Sequence, residues 1–101
     1  MDTQQLVNDV KARFNINYQK HQLREKYTAK LIFADQGGLW VANPNLLSQL
    51  FSSDTPTLIL LDNYENPIKV DRLKLLEKAN ELYVSTMKDW HSEYETLKNN
   101  R

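Results

Sequence analysis

Leu31-Ile32-Phe33-Ala34-Asp35-Gln36-Gly37-Gly38-Leu39-Trp40-Val41-Ala42-Asn43-Pro44 decides the fold, because it reads as two short strands, a tight turn and the start of a helix. Isoleucine, phenylalanine, tryptophan and valine fill the two runs, and Gly37-Gly38 supplies positive φ at no steric cost. Asn43 is a capping residue and Pro44 suits the first helical position, so Leu46, Leu47, Leu50 and Phe51 follow on a short helix that ends before Ser52-Ser53-Asp54-Thr55-Pro56. The same grammar then repeats. Leu58-Ile59-Leu60-Leu61 meets Asp62-Asn63-Tyr64-Glu65-Asn66-Pro67, continues as Ile68-Lys69-Val70 and reaches Asp71 ahead of Leu73, Leu75 and Leu76. Because Thr57 to Leu61 is apolar on both faces, the pattern places this strand inside a covered sheet. Pro67 removes a ladder donor and marks an edge strand.

Outward from the hairpins, both ends read as helix. Leu6, Val7, Val10 and Phe14 recur at helical spacing with Asp2 or Thr3 as cap, Asn15-Ile16-Asn17 interrupts them, and a second helix runs from Tyr18 to about Thr28 with Leu23 and Tyr27 on one side. The last helix is capped by Asp71, and nothing breaks it before Asn99. At ~1.5 Å per residue it spans roughly 42 Å. A compact domain of this length has a radius of gyration near ~13 Å, so the helix outruns the body. Its seam, Leu76, Ala79, Tyr83, Met87, Trp90, Tyr94 and Leu97, stays apolar to the end and is widened by Leu75, Leu82 and Val84. Two covers are expected: the N-terminal helix packing back through Leu6, Val10 and Phe14, or another chain docking on Met87, Trp90, Tyr94 and Leu97.

The expected architecture is therefore a single α+β domain. Residues 1–30 form a basic helical region, 31–70 form two β-hairpins with a short connecting helix, and 71–99 form the long helix. The two hairpins are expected to join in one four-stranded antiparallel sheet, covered on one face by helices.

Composition narrows the chemistry. The chain has 101 residues, thirteen basic and thirteen acidic side chains, and no cysteine. Charge balance removes a global attraction for nucleic acid or anionic lipid, and the lack of thiols removes disulfides, thiolate catalysis and the usual structural zinc sites. The polar Met1-Asp2-Thr3-Gln4-Gln5 start and the absence of a long apolar run lead to the expectation of a cytoplasmic protein without a membrane partner. His91 and Glu95 lie one helical turn apart, yet such a pair on a charged helix is the ordinary ion pair. His21 has no carboxylate nearby except adjacent Glu25, and the glycine pair sits between strands where no phosphate loop forms. No catalytic, cofactor or metal residues are assigned.

Charge is unevenly placed. Residues 1–30 hold six basic side chains against Asp2, Asp9 and Glu25, whereas no Lys or Arg occurs from Leu31 to Ile68. Lys11, Arg13, Lys20, Arg24, Lys26 and Lys30 with Tyr18 and Tyr27 are chemically sufficient for weak single-strand binding, and Arg13, Lys20, Arg24 and Lys26 also suit charge steering toward a protein. A basic end and an acidic middle also suit contact within one chain or between copies, a homodimer included.

Lys11-Ala12-Arg13-Phe14-Asn15, Leu23-Arg24-Glu25-Lys26-Tyr27, Gly37-Gly38-Leu39-Trp40, Leu61-Asp62-Asn63-Tyr64-Glu65-Asn66-Pro67 and Met87-Lys88-Asp89-Trp90 with Glu93-Tyr94 together resemble small uncharacterised proteins of contractile-tailed bacteriophages, including those infecting cyanobacteria. The resemblance runs the full length and carries no catalytic or ligand residues. It implies a setting in the host cytoplasm or the virion and a role in particle assembly, or in binding a host enzyme, through protein contact.

Overall fold

The computed structural model describes residues Thr3–Asn99. Helix α1 (Thr3–Lys30) leads into strands β1 (Ile32–Asp35) and β2 (Gly38–Val41), helix α2 (Pro44–Ser52), strands β3 (Thr57–Leu61) and β4 (Pro67–Asp71), and helix α3 (Arg72–Asn99). The fold is α+β, with both hairpins antiparallel. One difference lies in α1, which runs unbroken through Asn15-Ile16-Asn17. Asparagine costs a helix interior only a few tenths of a kcal/mol relative to its neighbours, and without Gly or Pro nothing forces a break. The expected cap at Asp2 lies outside the described residues, and Thr3 is the first helical residue.

Local chemistry accounts for most boundaries. Asn43 Oδ1 accepts the Leu46 N–H at 2.9 Å with Pro44 opening α2, and Asp71 Oδ1 accepts the Lys74 N–H at 3.1 Å at the start of α3. The first hairpin turns on Gln36 and Gly37, with φ of 51° and 82°, while Asp35 pairs with Gly38. Only one glycine of the pair therefore serves the turn. Gly38 is needed for space: a Cβ there would stand 2.7 Å from the Trp40 ring.

The two hairpins do not merge into the expected four-stranded sheet. They form two separate two-stranded sheets. They touch at one end, where Asn63 N–H donates to the Leu39 carbonyl at 2.7 Å, but the Leu39 N–H is taken by the Asp62 carboxylate at 3.1 Å. The donor that would continue the ladder is thus spent on a side chain, and β2 and β3 do not pair. Asp62 is buried and also accepts from the Tyr64 and Asn66 N–H groups, each at 3.0 Å, which holds Glu65 in its left-handed conformation (φ 64°). These bonds, led by Asn66, hold its carboxyl below the usual aspartate range. Gln36 ties the first turn to the second hairpin, accepting the Asp71 N–H at 2.7 Å. Arg72 fastens α2 by donating to the Leu50 carbonyl at 3.0 Å and to Thr55 at 2.7 Å.

Inner faces of both sheets meet α2 and α3 in one core of Leu31, Trp40, Ala42, Leu46, Leu50, Val70, Leu75 and Ala79. Phe33, Leu58, Leu60 and Ile68 pack against it from the strands. The outer face is different. Strand β3 has only β4 as a partner and is not enclosed as its sequence suggested: Ile59 and Leu61 are 71% and 66% exposed. The body is small beside its helices, and the molecule is 64 Å long with a radius of gyration of 19.1 Å.

Replacing Gly38 by Ala is expected to force the Trp40 ring out of place and to cost about 1–3 kcal/mol in chemical denaturation. Asp62→Ala is expected to lower the melting temperature at neutral pH and to lose its effect in acid. A carboxyl held low in the fold contributes stability above the ordinary aspartate range, and that contribution disappears as pH falls through the lowered value.

Candidate interaction surface

The seam of α3 divides into two parts. Its first half is consumed by the body, with Leu75 and Ala79 buried and Leu76, Leu82 and Tyr83 half-buried. The second half is met by α1, though not by the expected residues. Tyr27, 2% exposed, stacks on Trp90 with ring centroids 5.8 Å apart and planes 11° from parallel. Glu93 receives both the Tyr27 hydroxyl and the Lys26 ammonium at 2.5 Å. Further along, Lys20 lies 6.0 Å from the centre of the Tyr94 ring, and Gln19, Leu23 and Leu97 line a shared groove. Trp90, Tyr94 and Leu97 are each half-buried by this contact, and Met87 stays exposed.

The cover thus comes from the C-terminal half of α1. Because the helices run antiparallel and Tyr27 is registered on Trp90, α3 ends at about the level of Gln19. Residues Thr3 to Tyr18 continue beyond it as an arm, about 24 Å long at ~1.5 Å per residue. Leu6 and Val10 are 54% and 58% exposed, Val7 and Tyr18 are exposed too, and the Phe14 side chain lies outside what is described. Rotation adds to translation. At ~100° per residue, Val10 lies about 100° around the helix from Tyr27, so the apolar stripe of the arm would miss α3 even if α3 were longer. Within the arm, Arg13 pairs with Asp9 at 3.1 Å and Gln4 bonds Asn8 at 3.4 Å.

Several basic residues proposed for nucleic acid have partners inside the chain. Lys26 is paired with Glu93, and Lys30 lies 4.8 Å from the centre of the buried Tyr27 ring. Tyr18 accepts a bond from Gln22 at 3.1 Å, while Arg13 is on the arm and Arg24 faces solvent. His21 and His91 pair with Glu25 and Glu95 at 3.0 and 3.3 Å. The His21 contact uses the i,i+4 spacing, so its carboxylate partner is four residues away in sequence rather than adjacent. Among the described residues no three His, Asp or Glu side chains converge as a metal site, and no helix is long and apolar enough to cross a membrane.

No protein family, curated protein or solved structure matches this chain.

Sequence reasoning found the aromatic end of α3 but missed two surfaces: the overhang of α1 and the open outer face of the hairpins. The signal for the second was present in the doubly apolar Thr57–Leu61 run, read as a sign of enclosure.

Glu93 is held below the usual glutamate range, first by Lys26 and then by Tyr27, while the Lys26 ammonium is held above its ordinary value by the same bond. The Tyr27 hydroxyl is likewise raised by donating to Glu93. The depressed carboxyl contributes stability above the ordinary glutamate range and loses it as pH falls. The two raised groups contribute below their ordinary values and lose it in strong base. Glu93→Gln is therefore expected to melt earlier than the native protein at about pH 7, with the two curves converging toward about pH 3. A gap independent of pH would show that the carboxylate charge does not join the helices.

Proposed function

We propose that this protein is a non-catalytic protein–protein interaction module, acting as a structural or assembly factor in a phage particle. The observation that carries this reading is the α1 arm: a helix that leaves the body and presents Leu6, Val7 and Val10 to solvent on a face its own chain does not use. An apolar stripe held away from the core loses the solvation benefit of burial until another surface meets it. Leu97, half-buried, stands at the base of the arm, and the half-buried Tyr94 and Trp90 and the exposed Met87 follow it along α3 toward the body as further candidate contacts. Large amphipathic rings at such a place are common interface anchors. The phage setting rests on the resemblance of the motifs quoted above.

A role in binding nucleic acid is the alternative, and it draws on Arg13, Lys20, Arg24 and Lys26. Lys26 and Lys20 spend their charge on Glu93 and the Tyr94 ring, which leaves a weaker patch than the sequence suggests.

A photoreactive amino acid placed at Val10 in cells producing the protein tests this directly, with Glu65, an exposed turn residue, as control position. Discrete protein adducts from Val10 alone, lost when Leu6→Asp is added, are expected. Adducts only to nucleic acid would favour the alternative, and no adduct from the arm would overturn the interaction reading.

A further inference from the structure

The ladder of the second hairpin fixes which backbone groups of β3 point away from it. Asp62 N–H donates to the Asn66 carbonyl at 3.0 Å beyond one end of the register, and Arg72 N–H donates to the Pro56 carbonyl at 3.0 Å beyond the other. Hydrogen-bonded pairs alternate along an antiparallel ladder, so Leu58 and Leu60 bond to β4 while Thr57, Ile59 and Leu61 turn their N–H and C=O groups outward. The Thr57 carbonyl accepts the Thr55 hydroxyl at 3.0 Å. Among the described residues nothing bonds the outward groups of Ile59 or Leu61.

The other strand edges are largely occupied or shorter. On β2, the outward Leu39 groups are taken by Asp62 and Asn63, and the Val41 carbonyl accepts the Asn43 N–H at 2.8 Å. On β4, Pro67 has no N–H, and Gln36 bonds both the N–H and the carbonyl of Asp71. On β1, Ile32 and Ala34 alone face outward, and α1 lies against that strand. Strand β3 has its main contact with β4, and Ile59 is 71% exposed against 45% for Ile32. Sheet edges are ordinarily protected by a charge, a proline or a bulge, yet Thr57-Leu58-Ile59-Leu60-Leu61 holds none of them.

Such an edge accepts another strand, because its open groups are directional and evenly spaced. The β3 sequence fits itself. In an antiparallel pair centred on Ile59, Ile59 meets Ile59, Thr57 meets Leu61 and Leu58 meets Leu60, so the outward groups bond each other and no like charges stand opposite. Lys69 and Asp71, the charges that register places beside Ile59 and Thr57, lie one strand further out. We propose that two copies of this chain pair through β3, antiparallel about a two-fold axis at Ile59, joining their second hairpins into one four-stranded sheet. The contact is isologous. It lies at the other end of the molecule from the arm and goes beyond the interaction reading above.

Sedimentation of the full chain over a range of concentrations is expected to show a dimer, and Ile59→Lys, which charges the edge, a monomer that is folded by circular dichroism. Ile59→Pro removes an N–H that no ladder bond uses and is expected to weaken the dimer by about tenfold or more; a dimer of native strength in that variant overturns the proposal. The chain has no cysteine, so Ile59→Cys is expected to give a covalent dimer under oxidation. Lys69→Cys is not, because the two positions would stand about 14 Å apart, three strand spacings. A covalent dimer from Lys69→Cys alone would mean that sheet faces meet rather than edges, and loss of the dimer in Val10→Glu would place the contact on the arm; either overturns the proposal. So does a native chain that stays monomeric at all concentrations. Photoadducts from Val10 read the arm separately: adducts from a monomeric chain keep the interaction reading and remove only the edge pairing, whereas an Ile59-dependent dimer without adducts keeps the pairing and removes that reading.

Discussion

Two helices of 28 residues each share this molecule, and the stagger between them sets its shape. Tyr27 on Trp90 fixes that stagger, with Glu93 binding the hydroxyl of one neighbour and the ammonium of the other. Flush alignment would have covered the whole apolar seam of α3 and left no arm. The aromatic stack instead sits near the C-terminal end of α1 and two turns and a half before the end of α3, so the helices slide past each other. The interaction proposed for the arm descends from that offset. The same contact also explains why much of the basic charge in residues 1–30 is directed inward, toward Glu93 and the rings, rather than toward a polyanion.

At the other end of the molecule, one carboxylate does comparable structural work. Asp62 gathers three backbone N–H groups from the turn that follows it and from β2. It joins the hairpins and at the same time keeps them from becoming one sheet, because it occupies the Leu39 donor. Consequently each sheet keeps two strands, and Ile32, Ile59 and Leu61 stay exposed on their outer sides. The outer strand residues and the remote arm are two places where apolar side chains stay exposed among the described residues. Exposed Ile59 and Leu61 and exposed Leu6 and Val10 all forgo burial.

The arm has little to hold it as a helix in isolation. It contains Asn8, Asn15 and Asn17, its Arg13–Asp9 and Gln4–Asn8 contacts are exposed i,i+4 pairs, and helices of this length are marginal in water. Covering its stripe would stabilise the arm, which links the proposed interaction to folding as well as to recognition.

Much of the architecture was legible because local chemistry governs it. Asn43-Pro44, Asp71, the positive-φ turn at Gly37 and the unbroken run from Arg72 to Asn99 each depend on groups within a few residues of one another, so spacing and residue type sufficed. Where reading failed, the deciding partner was distant in sequence. Asn15-Ile16-Asn17 looked like a break because its propensity is weak, yet propensity alone does not end a helix. Nothing near Leu39 announces that its N–H will be taken by Asp62, so the four-stranded sheet was a fair inference and a wrong one. The aromatic end of α3 could be identified from its period, but not that Tyr27, rather than Leu6 or Val10, would meet it. The sequence by itself determined the elements, their order and their apolar faces, since these follow from periodicity and capping. Only the tertiary structure decided which faces are covered, because the stagger of two long helices is set by one stacked pair that no local pattern encodes.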